Sequence, residues 1–339
     1  MFKKKLAFLC CVMLLLSVAG YGICRMTDSK HTETQKKGPL LVTSFYPMYV
    51  LAKNLTLQTD ELTVSNLTEN QTGCLHNYQM TTKDMRLLSD ADALLINGNG
   101  MELFVDRALE EVKGLPVITA TEHLHLLEGS THNHAHDEED HEHAEDEHED
   151  DEHEDEHGHA EENEHAEDGH AVNPHAWLDA IRYFEQAEHV YAELCVLFPE
   201  YKNSLEKSYL EYKEKLHDVM EHQQMLAEKT EGVYVVIFHD AFAYLADGLH
   251  MNVLAAMALD EETVPSSGEI REAIEEINYH GGALIFIEEE YAVHAEKIVA
   301  ETGAKVVYID PLVTGDGNAD SYVDGMLDNF KKIEDALSN

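Results

Sequence analysis

Cysteine is scarce in this chain. Five of 339 residues are cysteine, and three of them, Cys10, Cys11 and Cys24, fall in the first 24 positions. Cys74 and Cys195 remain in the body. Even where oxidation is permitted, two cysteines do not make a disulfide framework, and two separate thiols is the simpler reading. Basic residues are scarce as well. Lys and Arg number 23 against 67 Asp and Glu, a formal net charge of −44. With no basic patch to interrupt it, such a surface repels nucleic acid and anionic headgroups and attracts cations, so nucleic acid is excluded as a partner. What is not lacking is apolar material: 44% of the residues are hydrophobic, and the length accommodates two domains of ordinary size.

The N-terminus is a targeting segment. Lys3, Lys4 and Lys5 precede Leu6 to Cys24, which are 19 residues without a charge. Basic residues stay on the cytoplasmic side, so the rest of the chain is expected outside, on the outer face of a bacterial cell membrane. The run is long enough to span a bilayer if it is not cleaved. Cys24 stands where a bacterial lipoprotein carries its lipidated cysteine, yet Tyr21-Gly22-Ile23 places Ile where a small residue is usual. Lipidation at Cys24 and an uncleaved anchor stand level, ahead of soluble secretion.

Between His132 and His170 there are eleven His, twenty acids and no Lys or Arg. Imidazole nitrogen and carboxylate oxygen together suit borderline divalent cations such as zinc. With almost no apolar residues, the stretch 123–171 cannot bury enough surface to offset the entropy of ordering, so a disordered insertion is expected there. His153-Glu154-Asp155-Glu156-His157 fits the zinc-protease pattern, but a run built from His, Glu and Asp produces that match by chance, and the pattern needs a stable helix.

The remaining chain alternates short apolar strands with helical spacings. Strands are expected at 40–44, 62–66, 91–97 and 116–119, with helices at 46–56, 81–89 and 101–112 between them. From Asp179 a helical pattern persists to about Lys229, interrupted near Pro199, and its second part carries Leu205, Tyr209, Tyr212, Leu216 and Met220 at spacings of three and four. Strands resume at 233–238, 252–257, 283–287 and 305–309, with helices at 240–248, 267–279, 293–302 and 319–336. This alternation predicts an α/β protein of two lobes, each with a mostly parallel sheet flanked by helices, bridged by one long rigid helix. The division reads as a leader (1–24), a tether (25–38), an N-terminal lobe (39–200) carrying the insertion, a bridging helix (201–229) and a C-terminal lobe (230–339).

Four residues lie just past a strand or at a helix start, where open α/β sheets bind ligands. His76 follows the second strand through a loop. His175 opens the helix after the acidic insertion. His239 comes directly after the strand 233–238, and Asp310 after 305–309. Each alone has a plainer role as a loop, cap or turn residue; the four together suggest a metal site in a cleft between lobes. His250, His280 and His294 lack this context and read as surface or local structural residues.

Several motifs carry a family resemblance: Ser44-Phe45-Tyr46-Pro47, Val64-Ser65-Asn66-Leu67, Asn97-Gly98-Asn99-Gly100-Met101-Glu102, Asn173-Pro174-His175-Ala176-Trp177-Leu178, Phe238-His239-Asp240-Ala241-Phe242-Ala243-Tyr244-Leu245 and Glu301-Thr302-Gly303-Ala304-Lys305-Val306. With them the chain resembles the zinc/manganese solute-binding proteins of ABC importers, over nearly its whole length after the leader. The resemblance implies metal held between two lobes, with His76, His175 and His239 as ligands and Asp310 where the family often has a fourth carboxylate. It departs from the family at Cys74-Leu75-His76, where Glu-Pro-His is usual, and at Glu288-Glu289, where Glu-Pro is usual. Taken alone, Glu288 reads as an exposed acid at a strand end.

Manganese members are similar but generally carry Glu at the position of His239. Three imidazoles and one carboxylate suit four-coordinate zinc, whereas manganese prefers more oxygen. The expectation is therefore a monomeric, non-enzymatic subunit that captures Zn2+ outside the cytoplasm and delivers it to an ABC permease and its ATPase, held at the membrane by its N-terminal anchor or a lipid. Because neutral imidazole binds the metal, binding should fail as the histidines protonate. The His-rich run would act as a weak multivalent collector. The alternatives are a manganese-binding homologue, a secreted zinc hydrolase with Glu288 as base, or a zinc-buffering surface protein.

Overall fold

The structure is a computed structural model and describes residues 38–68, 75, 78–129, 172–257 and 264–338. The leader 1–24, nearly all of the tether, Cys74, His76 and the His-rich run lie outside the described residues. No helix among the described residues is long and apolar enough to cross a membrane.

The chain folds into two parallel four-stranded sheets. In the first, β1 (Leu40–Thr43), β2 (Thr63–Asn66), β3 (Ala93–Ile96) and β4 (Val117–Thr119) lie in the order β2-β1-β3-β4. Helices α1 (Tyr46–Leu55), α2 (Thr82–Asp90) and α3 (Leu103–Glu111) make the crossovers. In the second, β5 (Tyr234–Ile237), β6 (Asn252–Ala256), β7 (Leu284–Ile287) and β8 (Lys305–Tyr308) repeat that order as β6-β5-β7-β8. Between the sheets run α4 (Ala180–Leu197) and α5 (Lys202–Thr230), and the second lobe adds α6 (Phe242–Gly248), α7 (Ser267–His280), α8 (Glu296–Thr302) and α9 (Ser321–Ser338).

Local chemistry explains the element ends. The central strands are apolar on both faces, as in Leu284-Ile285-Phe286-Ile287, because helices cover both sides of a parallel sheet. Reciprocal capping boxes start α2 (Thr81 with Asp84) and α7 (Ser266 with Glu269). Gly281 ends α7 in the left-handed region at φ 83°, which a side chain would resist. One expected helix begins differently: the segment 289–295 winds as a 3-10 turn, and the α-helix starts only at Glu296.

Helix α5 has 29 residues and spans roughly 40 Å at 1.5 Å per residue, enough to touch both lobes. It packs on α1 and α4 from the first and on α6 and α9 from the second. A single core cluster runs from Leu41 and Leu95 through Trp177, Tyr183, Tyr212 and Leu216 to Val235 and Phe286, so the lobes share apolar packing. Trp177 donates its indole N–H to Pro311 O at 2.9 Å, and Tyr183 stacks on Tyr322 with ring centroids 3.6 Å apart. Aromatic side chains of this size each remove roughly 150–250 Å² from water, or about 4–6 kcal/mol apiece before entropy. Wide separation of the lobes is therefore costly, and small movements are expected.

The start of the insertion needs correction. Residues 123–129, expected as disordered, run along the body with Leu124, Leu126 and Leu127 packed on the core. Glu128 and Val172 form an antiparallel bridge, and Arg182 donates to His125 O as well as to Asp179 and Asp247. Three leucines close together supply the burial that the His-rich run lacks, and composition averaged over 123–171 concealed them.

Candidate metal site

Each sheet reverses its strand order at its centre, between β1 and β3 or between β5 and β7, and loops leaving the carboxyl ends there diverge to leave a crevice. In the second lobe those loops carry His239 and Glu288. His239 follows β5 and is buried, 8% exposed. Its Nδ1 lies 2.9 Å from Glu288 Oε1. An ionised carboxylate only accepts, so Nδ1 carries the proton and the lone pair of the ring falls on Nε2. Glu288 is thus the partner of His239 and not the exposed acid expected from its place at a strand end; its side chain is 15% exposed.

His175 comes from outside the sheets, on the loop entering α4, and is 3% exposed. Its Nδ1 is 2.8 Å from Asn173 Oδ1, which also accepts the backbone N–H of His175. The Asn173 amide is oriented from its other end, where Nδ2 donates to Asp240 O at 2.8 Å. With Oδ1 fixed as an acceptor, Nδ1 of His175 is again the protonated nitrogen and Nε2 holds the lone pair. The two rings stand 5.2 Å apart, centroid to centroid, at 75°. They bring one imidazole from each lobe to the same place.

The first lobe braces the His175 loop. Asn97, at the end of β3, donates Nδ2 to Pro174 O at 2.8 Å. Glu102 holds Asn97 in turn: its Oε1 accepts from Asn97 N and from Ser44 Oγ, both at 2.7 Å, and its Oε2 accepts from Gly98 N at 2.9 Å. Burial pushes the Glu102 carboxyl up to about 7, against the pull of those donors toward a lower value. Gly98 sits at φ 94°, and a Cβ there would come within 2.4 Å of Thr119 Cγ2, so only glycine permits the turn.

Asp310 follows β8 and is exposed. Its Oδ1 accepts from Leu312 N at 2.8 Å, and its backbone is held on both sides by the buried amide of Asn329. It shares with Glu288 a cleft of about 520 Å³ that also borders Glu289, Glu290 and Lys332. The structure thus brings His175 and His239 together, places Asp310 in the cleft beside the carboxylate that holds His239, and does not describe His76. Near His76, Leu75 is buried and Tyr78 donates its hydroxyl to Asp84 at 2.9 Å. Asn173, Asn97 and Glu102 stood in the sequence motifs without an assigned role, and Glu288 was read as an exposed acid or a hydrolase base rather than as the partner of His239. Their only local signals were an Asn two residues before a His and a Glu directly after an apolar strand.

The sequence pattern of the family described as ZnuA, zinc-uptake complex component A periplasmic, matches residues 41–336. The chain belongs to this family. Among relatives, the high-affinity zinc uptake system protein ZnuA of Bacillus subtilis (strain 168) is 27% identical over 350 residues, covering 99% of each protein. The zinc-binding protein AdcA of Streptococcus pyogenes serotype M3 is 25% identical over 313 residues, covering 91% of this chain. The chain spans only 56% of the length of that streptococcal relative. Among solved structures, Zn(II)-bound AdcA from Streptococcus pneumoniae superposes with a TM-score of 0.65 at 24% identity, covering 89% of this chain and 58% of that one, which is a likeness of fold. Two parallel sheets joined through a long helix are therefore the fold of a ZnuA-type chain.

Proposed function

We propose that this chain is the extracytoplasmic zinc-binding subunit of an ABC importer and delivers Zn2+ to a membrane permease driven by its ATPase. The observation that carries the reading is the meeting of His175 and His239, one from each lobe, with rings 5.2 Å apart. Each is oriented through Nδ1 by a separate acceptor, which supports Nε2 as the atom offered to the metal. A carboxylate or amide behind a ligating histidine fixes its tautomer and raises its basicity. His76 supplies the third nitrogen and Asp310 an oxygen. Nitrogen-rich, four-coordinate geometry favours zinc over manganese. Family membership supports transport as the purpose, and zinc is named in both the Bacillus and the streptococcal relatives.

The metal is the cargo, so the site must release it as well as hold it. Neutral imidazoles and an exposed carboxylate allow this through small lobe movements, which the shared core limits to adjustments of the loops. Attachment to the outer face of the membrane through Cys24 or the uncleaved leader, a monomeric state, and division into lobes at 39–200 and 230–339 about the helix 201–229 complete the proposal. The test is native mass spectrometry with zinc and manganese in competition, on protein lacking 132–170 so that the His-rich run contributes no background. One tightly held zinc per chain is expected. A preference for manganese, or no tight metal, rejects the reading.

A further inference from the structure

Outside the interlobe cleft, one further group of metal-ligating side chains converges among the described residues. Glu122 and His123 lie in the turn after β4, and His189 lies on α4; one ligand atom from each falls within 4.8 Å of the other two. The imidazoles of His123 and His189 are 4.9 Å apart at 84°. His189 Nε2 lies 3.8 Å from Glu122 Oε2, too far for a hydrogen bond and about right for two atoms that share a cation between them. A second observation points the same way: His189 Nε2 is buried and has no hydrogen-bond partner among the described residues. Buried polar atoms are nearly always paired, and a metal ion is one of the few partners that suits a bare imidazole nitrogen.

The geometry points to a second metal site at Glu122, His123 and His189, separate from the interlobe site and taking a borderline divalent cation of the zinc class. Two imidazole nitrogens and one carboxylate oxygen are a zinc donor set, and three protein ligands leave a coordination position for water or an incoming donor. The position on α4 is nine residues beyond the helix start, roughly 14 Å along its axis, so these ligands are not those of the His175 loop. The carboxylate of Glu122 is 59% exposed while the His189 side chain is 16% exposed. Such a site opens to solvent on its oxygen side, so it exchanges metal faster and holds it more weakly than the interlobe cleft.

The experiment is an anomalous difference map at the zinc edge, from crystals of the full chain grown with excess zinc. Wild-type protein should show a peak between His123, His189 and Glu122 in addition to the interlobe peak. His189→Ala should lose the first peak and keep the second. His123→Ala and Glu122→Gln, both surface changes, carry the same test should the His189 variant not fold, with loss of the peak in the former and reduced occupancy in the latter. The interlobe peak is the internal control, so failure of this site and failure of the transport site are read separately. Absence of the peak in wild-type protein at saturating zinc, or its persistence in His123→Ala and His189→Ala, overturns the assignment.

Discussion

The two lobes share a strand order and use it differently. At the centre of the second sheet, the loops after β5 and β7 themselves carry His239 and Glu288, and the pair is formed by direct contact across the crevice. At the centre of the first sheet, the loops after β1 and β3 carry Ser44, Asn97 and Glu102, which hydrogen-bond to one another. They form a buried scaffold that holds the carbonyl of Pro174 and so places His175, which enters from a different part of the chain. One lobe presents its histidine from the sheet; the other presents it from a loop that the sheet supports. The same topology can therefore supply either a histidine or the brace for one, and the side chains at the switch point decide which.

The severest test of this contrast is removal of the imidazoles. His175→Ala and His239→Ala should each weaken zinc binding on the order of 1,000-fold, about 4 kcal/mol, in competition titrations with a chelator. Comparable loss in both would show the lobes contribute equally despite their different architecture; retention of tight binding in either breaks the model.

Next in size is the pH response of the N-terminal brace. An unfolded chain releases the Glu102 proton near 4.5, whereas the folded chain keeps it to about 7. Between those values the native state binds more protons than the unfolded state, so this group lowers stability as pH rises, by about 3 kcal/mol at most across the window. Below 4.5 and above 7 its contribution is flat. Urea unfolding of metal-free protein at pH 4.5, 6 and 7.5 should show this fall, and Glu102→Gln should remove it. The same slope in both proteins would show that the brace is not the titrating group.

The C-terminal partner is expected to act on binding rather than on stability. Glu288→Gln should reduce zinc affinity by about 10- to 100-fold, the usual cost of losing the group behind a ligating histidine, with little change in unfolding. A loss as large as that of His239→Ala would mean that Glu288 binds the metal itself. The smallest effect belongs to Asp310→Asn. The amide oxygen still accepts from Leu312 N, so the turn survives, and the loss of one oxygen donor should cost about tenfold or less in affinity by calorimetry.

Much of the fold was legible in the primary structure. Runs such as Tyr234-Val235-Val236-Ile237 and the long spacing of Leu205, Tyr212 and Leu216 are local signals, and each of these elements lies close to where they indicate. The site was legible only in part. His175 and His239 stood out because each follows a strand or opens a helix within a specific motif. Glu288 did not, because an acid at a strand end is ordinarily solvated, and only the approach of the β5 and β7 loops gives it a partner. His189 gave no signal either. It is one residue on the face of a helix, and its relation to Glu122 and His123 exists only once α4 packs beside the end of β4.

What the sequence determined by itself was the order and kind of elements, the cation-seeking charge and the two conspicuous histidines, because periodicity and net charge are properties of neighbouring residues. What the tertiary structure decided was the pairing of side chains distant in the chain: Glu288 with His239, Asn97 with the His175 loop, and His189 with the turn after β4. Those pairings depend on which loops a parallel sheet brings to one edge. That is set by the packing of the shared core between the lobes, which no short stretch of sequence contains.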